Sequence, residues 1–134
     1  MASEAASALR SQTCVGQCTR DTPHVSPAER VRLLAALPYW RLEAGGNAIS
    51  RTFVARNFNA GLQFLNACGA VAERETHHPD MHLTNYREVK LVLTTHAASG
   101  LTLSDFVLAA KLDELPCEYS PAWLRDRERE ASSS

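Results

Sequence analysis

Ile49-Ser50-Arg51-Thr52-Phe53-Val54-Ala55-Arg56 alternates in polarity and runs straight into Asn57, after which Phe58, Leu62, Leu65, Cys68 and Ala72 recur at helical spacing. A switch of apolar period from two to about 3.6 marks the junction of a half-buried strand and an amphipathic helix. Ile49, Phe53 and Ala55 share one side of the strand, and Arg51 is the misfit on that side. Asn57 is a suitable N-cap for the helix. Gly61 and Gly69 lower its propensity but would permit close packing against a sheet. The helix is expected to reach about Arg74 or Glu75. Pro79 disfavours helical backbone at His78, so the adjacent His77 and His78 fall in the exit loop.

Working outward, Tyr39-Trp40-Arg41-Leu42-Glu43 also alternates, and Ala44-Gly45-Gly46-Asn47 is a turn signal, which makes a hairpin with the strand above. Before it, Ser26-Pro27-Ala28-Glu29 predicts a helix start with a capping box, Val31, Leu34 and Ala35 form its stripe, and Leu37 ends it before Pro38. After the long helix, Met81 to Tyr86 and Val89 to Thr95 predict a second hairpin. On its latter strand Val89, Leu91 and Leu93 face one side, with Lys90, Val92 and Thr94 on the other. His96 ends that strand. Ala97-Ala98-Ser99-Gly100 then turns into a third helix, with Thr102 as N-cap, Asp105 as N3 acid and Phe106, Ala109, Ala110 and Leu112 as its buried stripe; Pro116 stops it.

The order α-β-β-α-β-β-α predicts an α+β, two-layer domain: a four-stranded antiparallel sheet with three helices on one face. Its expected extent is residues 26–125. Residues 1–25 lack periodicity and are expected to be a flexible tail, and 126–134 a charged, Ser-ending tail, with Trp123 docking ahead of it.

With 134 residues, 45% hydrophobic and 22% charged, the chain has the composition of an ordinary globular domain. A formal net charge of -1 with scattered Lys and Arg argues against a nucleic-acid partner. No apolar run approaches the roughly 20 residues that span a bilayer. The four cysteines, at 14, 18, 68 and 117, give no disulfide framework, and a reducing cytoplasmic setting is the expectation, with import directed by the N-terminal tail left open. Cys68 reads as buried filler. Cys14 and Cys18 with His24 would make an incomplete zinc set. His82 could join His77 and His78 at a metal, but Pro79 interrupts the helical geometry of zinc hydrolases. No metal and no cofactor is expected.

The chemistry concentrates in Glu73-Arg74-Glu75-Thr76-His77-His78-Pro79, with Tyr86, His96 and Asp105 beyond it. Histidines beside carboxylates are the usual apparatus of proton transfer near neutrality. Glu73 lies one helical turn before His77 and could orient its imidazole. Taken singly, each residue has a plain alternative: Glu73 a solvated acid, the His pair a surface loop, His96 a polar strand end, Asp105 a capping acid favoured by the helix dipole.

Taken together, Glu73, His77, His78, Pro79, Tyr86, His96 and Asp105 resemble the spaced pattern of the pterin-4a-carbinolamine dehydratase family. Val54-Ala55-Arg56-Asn57-Phe58 and Asp105-Phe106-Val107-Leu108-Ala109-Ala110-Lys111 agree with it as well. Pro79-Asp80-Met81-His82-Leu83 and Tyr119-Ser120-Pro121-Ala122-Trp123-Leu124-Arg125 look like the plant and protist branch. The resemblance spans about 26–125 and implies an α-β-β-α-β-β-α fold. It also implies a 4a-hydroxytetrahydrobiopterin dehydratase: acid/base elimination of water from a pterin carbinolamine to quinonoid dihydropterin, in tetrahydrobiopterin recycling. By the match, His77, His78 and His96 are catalytic, Glu73 and Asp105 orient them, and His78 with the Thr94 and Thr95 backbone binds substrate. A small-molecule pterin and a homodimer or homotetramer are the implied partners. Two other readings travel with the resemblance: an oligomeric interaction module that stabilises a transcription-factor dimer, and a pterin-binding protein of molybdenum-cofactor metabolism. Thr76 departs from the animal members, where Asp is common, and the interval from Pro79 to Tyr86 is one residue longer than theirs. Cys14 and Cys18 resemble a closer-spaced Cys pair of plant relatives.

Overall fold

The structure, a computed structural model, describes residues 4–133. Its elements in order are α1 (Glu4–Arg10), α2 (Pro27–Ala35), β1 (Arg41–Leu42), β2 (Ile49–Val54), α3 (Phe58–Glu75), β3 (Asp80–Thr84), β4 (Glu88–Leu93), a 3-10 turn (His96–Ala98), α4 (Leu103–Leu112) and α5 (Pro121–Ser133). The class is α+β with one antiparallel sheet of order β1-β2-β4-β3. Both expected hairpins form, and the sheet is joined at its centre by β2 against β4. The expected helix count of three is corrected to five among the described residues: α1 lies in the stretch read as the N-terminal tail, and α5 opens within the expected domain and runs into the C-terminal tail.

Cross-strand register decides which side chains share a face. Ile49, Arg51 and Phe53 stand opposite Leu93, Leu91 and Val89, and Met81 and Leu83 stand opposite Leu91 and Val89. Partners in register point to the same side of an antiparallel sheet, so this is the core face, and all six residues of the central pair are buried. Gly45 and Gly46, at φ of 92° and 75°, make the tight return between β1 and β2.

Arg51 is where the alternation looked wrong, and it is indeed inside, 3% exposed. Its guanidinium pairs with Asp113 Oδ1 at 3.0 Å and donates to the Tyr119 hydroxyl at 2.6 Å. Trp40 Nε1 donates to the same Asp113 oxygen at 2.9 Å. The rings of Tyr39, Phe53 and Phe64 surround the cation at 4.9, 5.1 and 5.4 Å, distances at which a π face attracts it. Burial pushes the Asp113 carboxyl above its ordinary range, against the pull of Trp40 and Arg51.

On α3 Asn57 Oδ1 accepts from the Ala60 amide at 2.8 Å, so the cap is as read. The buried stripe is as read only in part: Cys68 and Ala72 are inside and Leu65 packs against the core. Ala60, Gly61, Phe64, Cys68, Val71 and Ala72 face inward, while Phe58 and Leu62 are exposed. Short periodic patterns permit two phases, and Gly61 selects this one: a Cβ there would meet Leu83 Cδ1 at 3.0 Å. Gly69 has no such neighbour within 4 Å. A similar shift on α2 buries Leu33 and exposes Val31. Its cap Ser26 accepts from the Glu29 amide at 3.2 Å, but the Glu29 carboxylate pairs with Arg32 rather than closing the capping box.

α4 is buried from Ser104 to Ala110 and again at Leu112. A helix apolar nearly all round needs neighbours on more than one side. It has them in α3 and in α1, which brings Leu9 into the core. Residues 4–25 therefore do not form the flexible tail expected of them: Leu9 and Cys14 are buried, and the segment runs against α4. Near the C-terminus Trp123 docks as expected, stacked on Tyr119 with centroids 5.2 Å apart. Among the described residues no helix is long and apolar enough to cross a membrane.

Candidate active site

The last turn of α3 separates the two histidines. Thr76, its C-cap, adopts the left-handed region at φ 53°, a conformation costly for a β-branched side chain and kept only where the surroundings enforce it. The helix thus ends before His77, whose amide still donates to Ala72 O at 3.3 Å. His77 then turns inward, 5% exposed, and His78 outward into solvent.

This placement gives Glu73 a different histidine from the one its helical spacing suggested. With helical phase lost at Thr76, its carboxylate reaches His78 Nε2 at 2.9 Å and not His77. The partner of His77 is Asp105, with Nε2 and Oδ1 2.6 Å apart. Asp105 is also the capping acid of α4: its second oxygen accepts from the Thr102 amide at 2.9 Å and from Thr95 Oγ1 at 2.8 Å. The capping reading is realised on one carboxylate oxygen, and the other oxygen lies against His77. Thr95 Oγ1 also lies 2.8 Å from Thr102 Oγ1, so the buried carboxylate sits in a fully bonded polar network, as a charge in a core must.

Thr95 leads directly to His96, the exposed first residue of the 3-10 turn, whose ring has no hydrogen-bond partner among the described residues. His77, Asp105 and Thr95 are therefore one hydrogen-bonded group, drawn from the α3 exit, α4 and the end of β4, and His96 is the next residue along the chain from Thr95. Thr94 Oγ1 donates to Asn47 O at 2.6 Å. The Thr95 amide and carbonyl are both engaged by Gly100. Tyr86 lies apart, in the β3-β4 turn at φ 53° and exposed.

The second nitrogen of His77, Nδ1, faces Cys18 Sγ at 3.3 Å. No local signal could have indicated a neighbour 59 positions away. The weighed metal set of Cys14, Cys18 and His24 is not assembled: Cys14 Sγ donates to Ser104 O, and the His24 ring meets Ala98 O. His82 is exposed on β3 opposite Lys90. Glu75, which ends α3, accepts from Lys111 Nζ at 2.7 Å and from the Cys14 amide at 2.9 Å. Burial alone would push its carboxyl up; these two donors hold it below its ordinary range.

Residues 23–115 match the family model described as pterin 4 alpha carbinolamine dehydratase. A Chloroflexus aurantiacus protein that carries the name pterin-4-alpha-carbinolamine dehydratase provisionally is 46% identical over 93 residues, 69% of this chain and 97% of its own length. A mitochondrial pterin-4-alpha-carbinolamine dehydratase 2 of Arabidopsis thaliana is 35% identical over 112 residues, 82% of this chain and 60% of that one. Among solved structures, a transcriptional coactivator/pterin dehydratase from Brucella melitensis superposes with a TM-score of 0.64 at 30% identity, covering 68% of this chain and 96% of that one.

Proposed function

The chain belongs to the pterin-4a-carbinolamine dehydratase family, and on that premise we propose that it removes water from a 4a-hydroxytetrahydrobiopterin to give the quinonoid dihydropterin. The observation that carries this reading is the buried His77–Asp105 contact at 2.6 Å, bonded to Thr95, whose neighbour in the chain is the exposed His96. The reaction breaks the C4a–O bond after an acid protonates the hydroxyl, and a base takes the N5 proton, so the product and one water balance the substrate. Imidazoles serve both steps near neutrality.

In this reading His77 and His96 donate toward the hydroxyl from two sides of a flat ring. His77 can do so only through Nδ1, because Nε2 is given to Asp105. Asp105 fixes the tautomer and stabilises the imidazolium, as a buried carboxylate does behind a catalytic histidine. His78, with Glu73 beside it, binds the pterin and assists at N5, and the Thr94 backbone supports the ring. The Cys18 contact must open for His77 to reach a ligand. We also propose self-association through β3, an edge strand whose residues are all exposed except the half-buried Leu83; sedimentation as a monomer at micromolar concentration would refute it.

The test is the rate of carbinolamine dehydration by His77→Ala and His96→Ala proteins shown by circular dichroism to be folded. Each is expected to lose about 10²-fold or more. Rates near the parent value in both would overturn the assignment.

A further inference from the structure

Cys18 takes no part in the dehydration, yet the fold fastens it on both sides. Ahead of it, the Cys14 amide donates to Glu75 Oε1 at 2.9 Å and the Cys14 thiol to Ser104 O at 3.4 Å. Behind it, the Val25 amide donates to Leu101 O at 3.0 Å, and the His24 ring nitrogen lies 2.5 Å from Ala98 O, with the ring packed on Gly100. Between these anchors Cys18 Sγ stands 3.3 Å from His77 Nδ1, while His77 Nε2 stands 2.6 Å from Asp105 Oδ1. Thiol, imidazole and carboxylate are in hydrogen-bonded sequence, the order that activates a nucleophile: a base in reach of it and a third group orienting the base.

We propose that Cys18 is a thiol-modification site for low-molecular-weight disulfides, activated by His77 and Asp105, and that the adduct closes the His77 site. His77 Nδ1 takes the thiol proton while Asp105 stabilises the imidazolium. The Cys18 sulfur attacks one sulfur of the disulfide, whose S–S bond breaks as a new one forms to Cys18. The departing thiolate recovers the proton from His77 and leaves as a free thiol. Cys18 is oxidised and the released half is reduced, so the disulfide itself is the only oxidant required.

The other three cysteines compete poorly for stated reasons. Burial pushes the Cys14 and Cys68 thiols up to about 12 and Cys117 up to about 11. Cys14 and Cys68 are also fully covered, whereas Cys18 is half-buried. An adduct on Cys18 would lie against the only His77 nitrogen not committed to Asp105. That second half of the proposal rests on the function proposed above; the first half does not.

The experiment incubates the reduced full-length protein with glutathione disulfide at pH 7 and maps adducts by intact mass and peptide mass spectrometry. One adduct is expected, on Cys18, removable by dithiothreitol and absent from Cys18→Ser. His77→Asn should take it up at least tenfold more slowly. Should that variant be unfolded, Asp105→Asn replaces it and should likewise label several-fold more slowly. Labelling that starts at Cys117, spares Cys18 or is not slowed in the folded variant overturns the modification site. The adducted enzyme should dehydrate at less than a tenth of the reduced rate, and full activity would overturn the closure. A reduced wild type without any dehydratase activity would instead overturn the proposed function, with the labelling result standing.

Discussion

α4 holds a carboxylate largely shielded from solvent at each end, and the two have different partners. Asp113, its C-cap, pairs with Arg51 under the centre of the sheet; Asp105, in its first turn, pairs with His77 at the α3 exit. The surroundings are alike in kind, with side-chain exposures of 3% and 15% for the first pair and 6% and 0% for the second. The cations differ. A guanidinium keeps its proton throughout the range in which proteins fold, whereas an imidazole exchanges it near neutrality. The partners differ too. Arg51 is enclosed by three aromatic rings and the Tyr119 hydroxyl, while His77 meets a thiol on a segment held by a few hydrogen bonds. One pair is a structural tie and the other is suited to moving a proton, and the cation with its neighbours makes that difference.

The sharpest way to break the comparison is Arg51→Met. It leaves Asp113 buried without its cation and should cost about 3–5 kcal/mol in urea unfolding. With the folded carboxyl already raised above 3.8, and raised further once Arg51 is gone, the folded state binds the proton more tightly than the unfolded one. The deficit is therefore greatest above that pH region and shrinks as pH falls toward 3.8. A deficit that grows on acidification would refute the account. Protein that remains folded should retain its rate of dehydration.

Asp105→Asn is the counterpart. It keeps the shape but removes the charge behind His77, and should lower the dehydration rate by about 10²-fold with a smaller stability loss, about 1–3 kcal/mol. An altered pH–rate profile would separate this from a packing effect. Should Asp105→Asn lower stability as much as Arg51→Met and leave the profile unmoved, the two pairs would be structural alike. The smallest effect is expected of Glu73→Gln. The Glu73–His78 contact is 2.9 Å but exposed on both sides, so thermal unfolding should shift stability by no more than about 0.5 kcal/mol. A larger loss would mean that His78 is held more firmly than its exposure indicates.

Much of this was legible in the chain. The strand-to-helix junction at Asn57, the Gly45-Gly46 return, the alternation of Val89, Leu91 and Leu93, and the Thr102–Asp105 cap are local signals read within a few residues, and each stands as read. Helix phase was harder. Phe58 and Leu62 fit an apolar stripe as well as Phe64 does, and only the approach of Leu83 to Gly61 separates the two phases. The first 25 residues offered no period, because α1 spans only Glu4–Arg10. Its order comes from α4, whose apolar surface exceeds what α3 can cover.

The residue types around His77 and their order along the chain are read from sequence alone, and histidines among carboxylates at these intervals are what the proton-transfer proposal starts from. Which carboxylate serves which histidine was a tertiary decision. Thr76 ends α3 in a left-handed turn, which carries His77 in toward Asp105 and leaves Glu73 to His78. Arg51 among apolar neighbours looked like a flaw until Asp113, 62 positions on, came into contact with it. Cys18 gained its meaning in the same way. Pairings between residues this far apart depend on the packing of whole elements, and one-dimensional spacing cannot carry them.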